Sequence, residues 1–312
     1  MGIAHFDQAP VREVQAGHIR GRWTLVGDAA GCVRVGVRRI ELPAGGWSTP
    51  AHEHGRAEEI FYILAGRGLS WVDGRTAEVG AGDCIVYPAH GGAHTLHALE
   101  PLDVLAFGPR PHDESLGFPR LGLSLVGRRA VPSVDGQIGG APIQFHREAE
   151  LGPPELGDAP GPRPPTIVNL ADVEPHTVKR VRVGRTRRNL GRAAGSLTTG
   201  LQHVEVMPGR ESSPLHCHSL EEEIFVVLAG EGWLVLDDRE QTPVRPGSVV
   251  ARPAATGVAH LFRAGPAGLT YLAYGTREPG DICYYPRSNK LSFRGVGVIA
   301  RLERLDYWDG ED

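Results

Sequence analysis

The sequence predicts an all-β protein built as two tandem barrels, and three observations carry that expectation. Apolar residues fall in short runs rich in β-branched and aromatic side chains. The 42 glycines and 25 prolines are scattered between those runs as turn residues rather than gathered in one tract. One half of the chain also repeats the other. At 312 residues, there is enough chain for two cores of ordinary size.

The repeat is plainest in EEIFYILAGRG at 58–68, which returns as EEIFVVLAGEG at 222–232, 164 positions later. Gly45 then corresponds to Gly209, Pro50 to Pro214, AFGPR at 106–110 to AYGTR at 273–277, and Phe118-Pro119-Arg120 to Tyr285-Pro286-Arg287. The displacement drifts only from 164 to 167, so the copies differ in loop length while their strands correspond. Between them, ELGPPELGDAPGPRPPT at 150–166 carries six prolines, which favour extended chain and cannot serve a central strand. The expected organisation is an N-terminal barrel over 1–130, a Gly/Pro-rich linker over 131–165 and a C-terminal barrel over 166–312.

Within the first copy the expected strands follow in order: VRVGVRRIEL, EEIFYIL, GLSWVDG, CIVYP, HTLHAL and LDVLAF. Each is bounded by glycine, proline or aspartate, and none sustains the apolar period of a helix.

Polar residues interrupt this pattern at matched places. Residues two apart in a strand share a face, so His52 and His54 point together, and Glu59 shares its face with Phe61 and Ile63. His216, His218 and Glu223 repeat the spacing, and His94 and His260 each follow a Gly-x5-Pro turn. A single histidine beside a strand is more often a surface or satisfied core residue. Four such residues recurring together in two copies are another matter. Three imidazoles and a carboxylate suit a divalent first-row metal and leave positions for water or substrate. A metal would neutralise groups that otherwise cost several kcal/mol to bury.

His52-x-His54-x4-Glu59-x6-Gly66 with Gly82-x5-Pro88-x2-Gly91-x2-His94 resembles the two motifs of the cupin superfamily. The second half repeats them as His216-x-His218-x4-Glu223-x6-Gly230 and Gly247-x5-Pro253-x3-Gly257-x2-His260, so the resemblance is to a bicupin. It implies two double-stranded β-helix (cupin jelly-roll) barrels, each with one divalent transition metal in its mouth. Iron or manganese is favoured, with zinc, nickel and cobalt as alternatives.

Strand phase places Phe61, Ile63, Leu96, Phe225, Val227 and Phe262 as the pocket lining. Such an apolar wall favours a dioxygenase acting on a small aromatic, enolic or dicarbonyl substrate. The first alternative is a redox-neutral isomerase or lyase, decarboxylases included, in which the metal polarises an oxygen and a side chain moves a proton. The second is a non-catalytic bicupin that binds a small molecule. No individual side chain is assigned as catalytic apart from the metal centres.

Other features weigh less. Cys217 faces away from its flanking histidines and reads as packing, His97 is out of phase with His94, His90 sits in a turn, and His203 is a candidate for the cavity. The four cysteines are widely spaced and suggest neither disulfides nor a thiolate zinc site. The run KRVRVGRTRRNLGR at 179–192 holds seven basic residues but no nucleic-acid-binding pattern. It reads as a solvated strand and loop, with Arg185 or Arg187 as candidates to cover a barrel mouth and pair with a substrate carboxylate. A formal charge of −4 gives no general pull toward nucleic acid or membrane. The beginning of the sequence has no signal-peptide pattern, and no segment has the length and apolarity of a membrane span. The expectations are a cytoplasmic protein with a small-molecule substrate, no nucleic-acid or membrane partner, and a homodimer as one assembly.

Overall fold

The computed structural model describes residues 2–126, 129–132, 143–157 and 160–311. In the first half, the strands Asp83–Tyr87, Glu59–Ala65, Leu102–Pro109, Val35–Leu42, Ile19–Thr24 and Val11–Ala16 lie side by side. A smaller sheet of His94–Ala98, Arg67–Val72 and Arg75–Gly80 accompanies them. In the second half, Glu223–Leu236 and His260–Thr276 pair along most of their length, with register shifts after Val227 and Gly230, and Thr199–Val206, Gly184–Arg188 and His176–Lys179 extend the sheet. Nearly all named pairings are antiparallel, and each half encloses its own apolar cluster. The all-β architecture of two tandem barrels is thus what the structure contains. Gly66 and Gly230 take positive φ where a Cβ would run into the Pro101 and Gly268 carbonyls, so these motif positions require glycine.

The expected domain limits do not mark where the sheets end. Gly2–His5 pairs with Ser248–Arg252 of the second half, and Ile167–Asn169 pairs with Asp83–Tyr87 of the first. The two added strands stand at corresponding places in the repeat, so each barrel completes its sheet with a strand from the other half. Strand pairing is a backbone interaction, and neither strand carries a side-chain signature of its partner. Part of the expected linker, 133–142 and 158–159, lies outside the described residues. The segment Ile143–Leu151 is a helix, formed by good helix formers and ended by Gly152 at positive φ followed by proline. Phe145 of this helix packs against Trp23, and the buried Glu148 carboxylate accepts from the Arg120 guanidinium.

A third cluster lies between the barrels and draws on both: Val35, Ile60, Leu105 and Phe107 pack with Leu201, Ile224, Leu272 and Tyr274. The Phe107 and Tyr274 rings stack at 5.2 Å. Two carboxylates cross this interface in opposite directions. Glu58 accepts hydrogen bonds from Ser196 Oγ at 2.6 Å, Leu197 N at 3.0 Å, Thr198 N at 3.1 Å, Thr199 N at 2.6 Å and Thr199 Oγ1 at 2.6 Å. Its counterpart Glu222 accepts from Val33 N at 2.8 Å and Arg34 N at 2.6 Å. Burial alone would raise the Glu58 pKa, but these donors outweigh it and the carboxyl is held below its ordinary value. Among the described residues no helix is long and apolar enough to cross a membrane.

Glu58→Ala removes the acceptor of the buried Thr199 N and Oγ1 groups, while Ser196 Oγ keeps the Thr199 carbonyl. The expected loss is about 2–4 kcal/mol of unfolding free energy, read from denaturant midpoints at neutral pH. Glu222→Ala should cost less. A Glu58→Ala midpoint indistinguishable from wild type would remove this carboxylate from the account of the interface.

Candidate metal centres

In the first barrel the strand start at Glu59, the short strand Glu53–His54, the bridge between His52 and His94, and the strand His94–Ala98 bring four side chains to one point. One ligand atom from each of His52, His54, Glu59 and His94 lies within 4.8 Å of every other. Glu59 Oε2 is 3.3 Å from His94 Nε2 and 3.7 Å from His54 Nε2. His52 Nδ1 donates to the Pro50 carbonyl at 2.9 Å, which leaves its Nε2 lone pair for the site.

The second barrel repeats the plan with one difference. His216, Glu223 and His260 converge within 4.8 Å, and His260 Nε2 is 3.1 Å from Glu223 Oε2. His216 Nδ1 donates to the Pro214 carbonyl at 2.8 Å. His218 Nε2 stays 3.7 Å from Glu223, while its Nδ1 makes a 2.7 Å contact with Asp281. Through this placement His218 also falls into a group with His216 and the buried Cys283 thiol.

The polar atoms fit a cation. Both ring nitrogens of His54, His260 Nε2 and Glu223 Oε2 are buried without a sound hydrogen bond among the described residues. Such atoms are costly unless another ligand occupies them. Burial, reinforced by His94, pushes His52 down to about 3, and burial with His260 does the same to His216. Burial also lowers His54 and His218, but Glu59 beside His54, and Asp281 and Glu223 beside His218, outweigh it and hold both above the ordinary value. Glu59 and Glu223 are held well below the usual carboxylate range because the imidazoles around them outweigh their burial. Imidazole nitrogen together with anionic carboxylate oxygen is a donor set suited to first-row divalent metals.

Several contributing residues were not expected from sequence. Asp281 orients His218 and accepts from Leu220 N at 2.9 Å. In the first barrel Glu114 stands 3.7 Å from His54 Nδ1 and accepts from Gly55 N and Ala57 N. These two carboxylates share the displacement that relates AFGPR to AYGTR, so the repeat itself could have found them. Asp281 holds His218 in the way outer carboxylates orient metal-binding histidines, whereas Glu114 stands near His54 without a hydrogen bond to it. Tyr87 stacks on His94 at 3.9 Å and contacts Ser70 at 2.8 Å, whereas its counterpart is Arg252, paired in register with Glu223.

Each ligand set opens into a cavity, of about 220 Å³ in the first barrel and about 250 Å³ in the second. Phe61, Phe225 and Phe262 line them as expected from strand phase, but Ile63, Leu96 and Val227 lie in the packed interiors beneath. The first wall is mainly apolar, with Trp23, Ile40 and Leu116. The second is polar: Arg185, Arg187, Gln202, Glu221, Tyr285 and Arg294. The basic run is therefore not simply a solvated strand. His203 is buried, but Gln202 and Val204 face the cavity in its place. Cys217 packs against Leu215 and Leu261, His97 lies 4.8 Å from Trp47, and His90 is exposed.

Fold and site together define a duplicated jelly-roll protein with a cluster of His and Glu side chains in each barrel. Residues 38–108 and 202–267 each match the cupin domain. The chain belongs to the cupin superfamily and is a bicupin. An uncharacterised protein of Methanocaldococcus jannaschii is 38% identical over 90 residues, which cover 27% of this chain and 68% of that one. Oxalate decarboxylase of Bacillus subtilis, in a mutant form, aligns over 90% of this chain and 78% of its own with a TM-score of 0.58 and 17% identity, a likeness of fold. A sugar phosphate isomerase of Silicibacter pomeroyi is 27% identical over 45% of this chain and 96% of its own, with a TM-score of 0.40.

In metal-free protein the ring protons of His52 and His216 should not titrate by NMR between pH 5 and 8, because both imidazoles stay neutral down to about 3. The unfolded chain takes up these protons near 6.5. The two groups therefore withdraw stability as pH falls from about 6.5 toward about 3. Titration of either ring near 6.5 would contradict its burial.

Proposed function

We propose that the protein is a metal-dependent enzyme holding one divalent transition metal in each barrel through His52, His54, Glu59 and His94 and through His216, His218, Glu223 and His260. We propose further that the C-terminal barrel carries redox-neutral chemistry of the isomerase or lyase kind. The observation behind this reading is the wall of its cavity, which Glu221 and Tyr285 line together with His216, Glu223 and His260. A bound metal there would polarise a carbonyl or carboxylate oxygen of the substrate.

The chain supplies the rest. The Pro214 carbonyl fixes the His216 tautomer, and Asp281 fixes His218. Arg294 holds Glu221, whose other oxygen accepts from Glu278 N at 2.9 Å. A carboxyl fixed in this way can take or return a proton at a substrate atom without reorganising. Tyr285 lies over His216 with ring centroids 6.0 Å apart and closes one side of the cavity. The dioxygenase reading finds its support in the first barrel, whose wall of Trp23, Ile40, Phe61 and Leu116 suits an apolar substrate.

Elemental analysis of protein purified without added metal should find metal in both barrels, with His94→Ala emptying the first and His260→Ala the second. Turnover of small oxygen-bearing metabolites, followed by NMR, should persist without dioxygen, fail in His260→Ala and survive in His94→Ala. Turnover that stops when dioxygen is removed would overturn the redox-neutral reading in favour of the oxygenase.

A further inference from the structure

The strand Gly184–Arg188 sends alternate side chains to opposite faces. On the outer face, Thr186 contacts Thr177, and Arg188 donates to Glu205 at 2.7 Å. The inner face carries Arg185 and Arg187, and both line the C-terminal cavity together with His216, Glu223 and His260.

Neither inner arginine is neutralised. Their Nε atoms are buried without a hydrogen-bond partner, and neither guanidinium pairs with a carboxylate among the described residues. The other two arginines of the cavity are already engaged. Arg277 donates to the Ser196 carbonyl at 2.8 Å, and Arg294 pairs with Glu221. Partial burial and then the charge of Arg185 lower the Arg187 pKa, as expected of like charges held close together in a half-buried position. An arrangement of this kind is costly as it stands and becomes favourable when an anion joins it.

The first barrel shows that the fold does not demand these charges. In the repeat, Gly21 and Trp23 occupy the corresponding positions, with Trp23 opposite Ile40 as Arg187 is opposite Val204. A glycine and an apolar ring serve the same strand there, and Trp23 lines the first cavity. The arginine pair is thus a feature of the second cavity rather than of the barrel.

We propose that the C-terminal cavity is an anion-binding site in which Arg185 and Arg187 hold a carboxylate or phosphate group at one end of a small substrate whose other end reaches His216, Glu223 and His260. The anion site stands on the arginines alone, and the orientation toward the ligand set rests on the metal-dependent reading. At about 250 Å³, the cavity falls below the ~300–1,000 Å³ of drug-sized pockets, which limits the substrate to a small metabolite. A guanidinium fork matches carboxylate and phosphate oxygens alike, so the probes must separate the two.

Calorimetric titration of the full chain with inorganic phosphate and, separately, with malonate tests this, with and without prior metal chelation. The expected result is binding of at least one probe, weakened about tenfold or more in the Arg185→Gln/Arg187→Gln double variant and unchanged in Arg188→Gln. The probe bound more tightly identifies the anion as phosphate or carboxylate. Arg187→Gln alone should show an intermediate loss, which keeps the question open to measurement if the double variant does not fold. Binding that survives both substitutions, or none by either probe at about 10 mM, overturns the proposal. Arginine-dependent binding to chelated protein upholds the anion site even if the protein proves to hold no metal, so the two readings can fail separately.

Discussion

Where each metal-set carboxylate begins its strand, the residue before it is a second glutamate, and consecutive side chains in extended backbone face opposite ways. Glu59 and Glu223 turn into their own barrels toward the imidazoles. Glu58 and Glu222 turn outward and accept hydrogen bonds from backbone of the opposite barrel. One backbone conformation therefore sets both the ligand position and the contact between halves. A one-residue slip would place the wrong carboxylate in the site and leave the other half's amides unpaired. The exchanged strands Gly2–His5 and Ile167–Asn169 reinforce this, because each barrel lacks a complete sheet without its neighbour. The interface is accordingly a core, with Phe107 stacked on Tyr274, rather than a contact between finished domains.

Duplication left the ligands alike and the walls different. The ligand positions answer to a geometric demand, since histidine nitrogens and a carboxylate oxygen must meet at one point. Wall positions answer only to packing and to whatever occupies the cavity. Trp23 is replaced by Arg187 and Ala57 by Glu221, while His52 and His216 each keep the corresponding proline carbonyl as partner. Arginines line both cavities, Arg38 and Arg110 in the first, but the pair Arg185 and Arg187 belongs to the second alone.

Much of this was legible in the sequence because the repeat supplied a built-in comparison. The two motifs, read twice, gave the barrels; in the structure four of the candidates cluster in the first barrel and His216, Glu223 and His260 in the second, with His218 outside that group. The apolar lining was read only in part. Strand phase gives the face on which Ile63 and Val227 lie but not their depth, and both sit below the cavity floor in the packed interior. The strand exchange left no trace because backbone pairing is indifferent to side-chain identity. Glu114 and Asp281 lie well after the motifs in sequence and approach His54 and His218 only once the barrel closes. The basic run was read in part, with Arg185 and Arg187 already marked as candidates for a barrel mouth. Its composition suggested solvent, whereas alternation along one strand sends Arg185 and Arg187 inward and Arg188 outward to Glu205.

The charge balance of the second cavity follows from these placements. Neutral imidazoles with one carboxylate would leave a bound divalent ion with a net positive charge at the ligand set. Arg294 and Glu221 cancel each other, so Arg185, Arg187 and Arg277, whose partner is the neutral Ser196 carbonyl, add three further positive charges to the same cavity. A neutral substrate would leave this excess uncompensated, and a cationic one would increase it. An anion is drawn in along the field and relieves the repulsion that burial imposes on the arginines. The first cavity, with Gly21 and Trp23 at the corresponding strand positions, lacks this arginine pair. The electrostatics of the walls, more than the identity of the ligands, distinguish what the two barrels can accept.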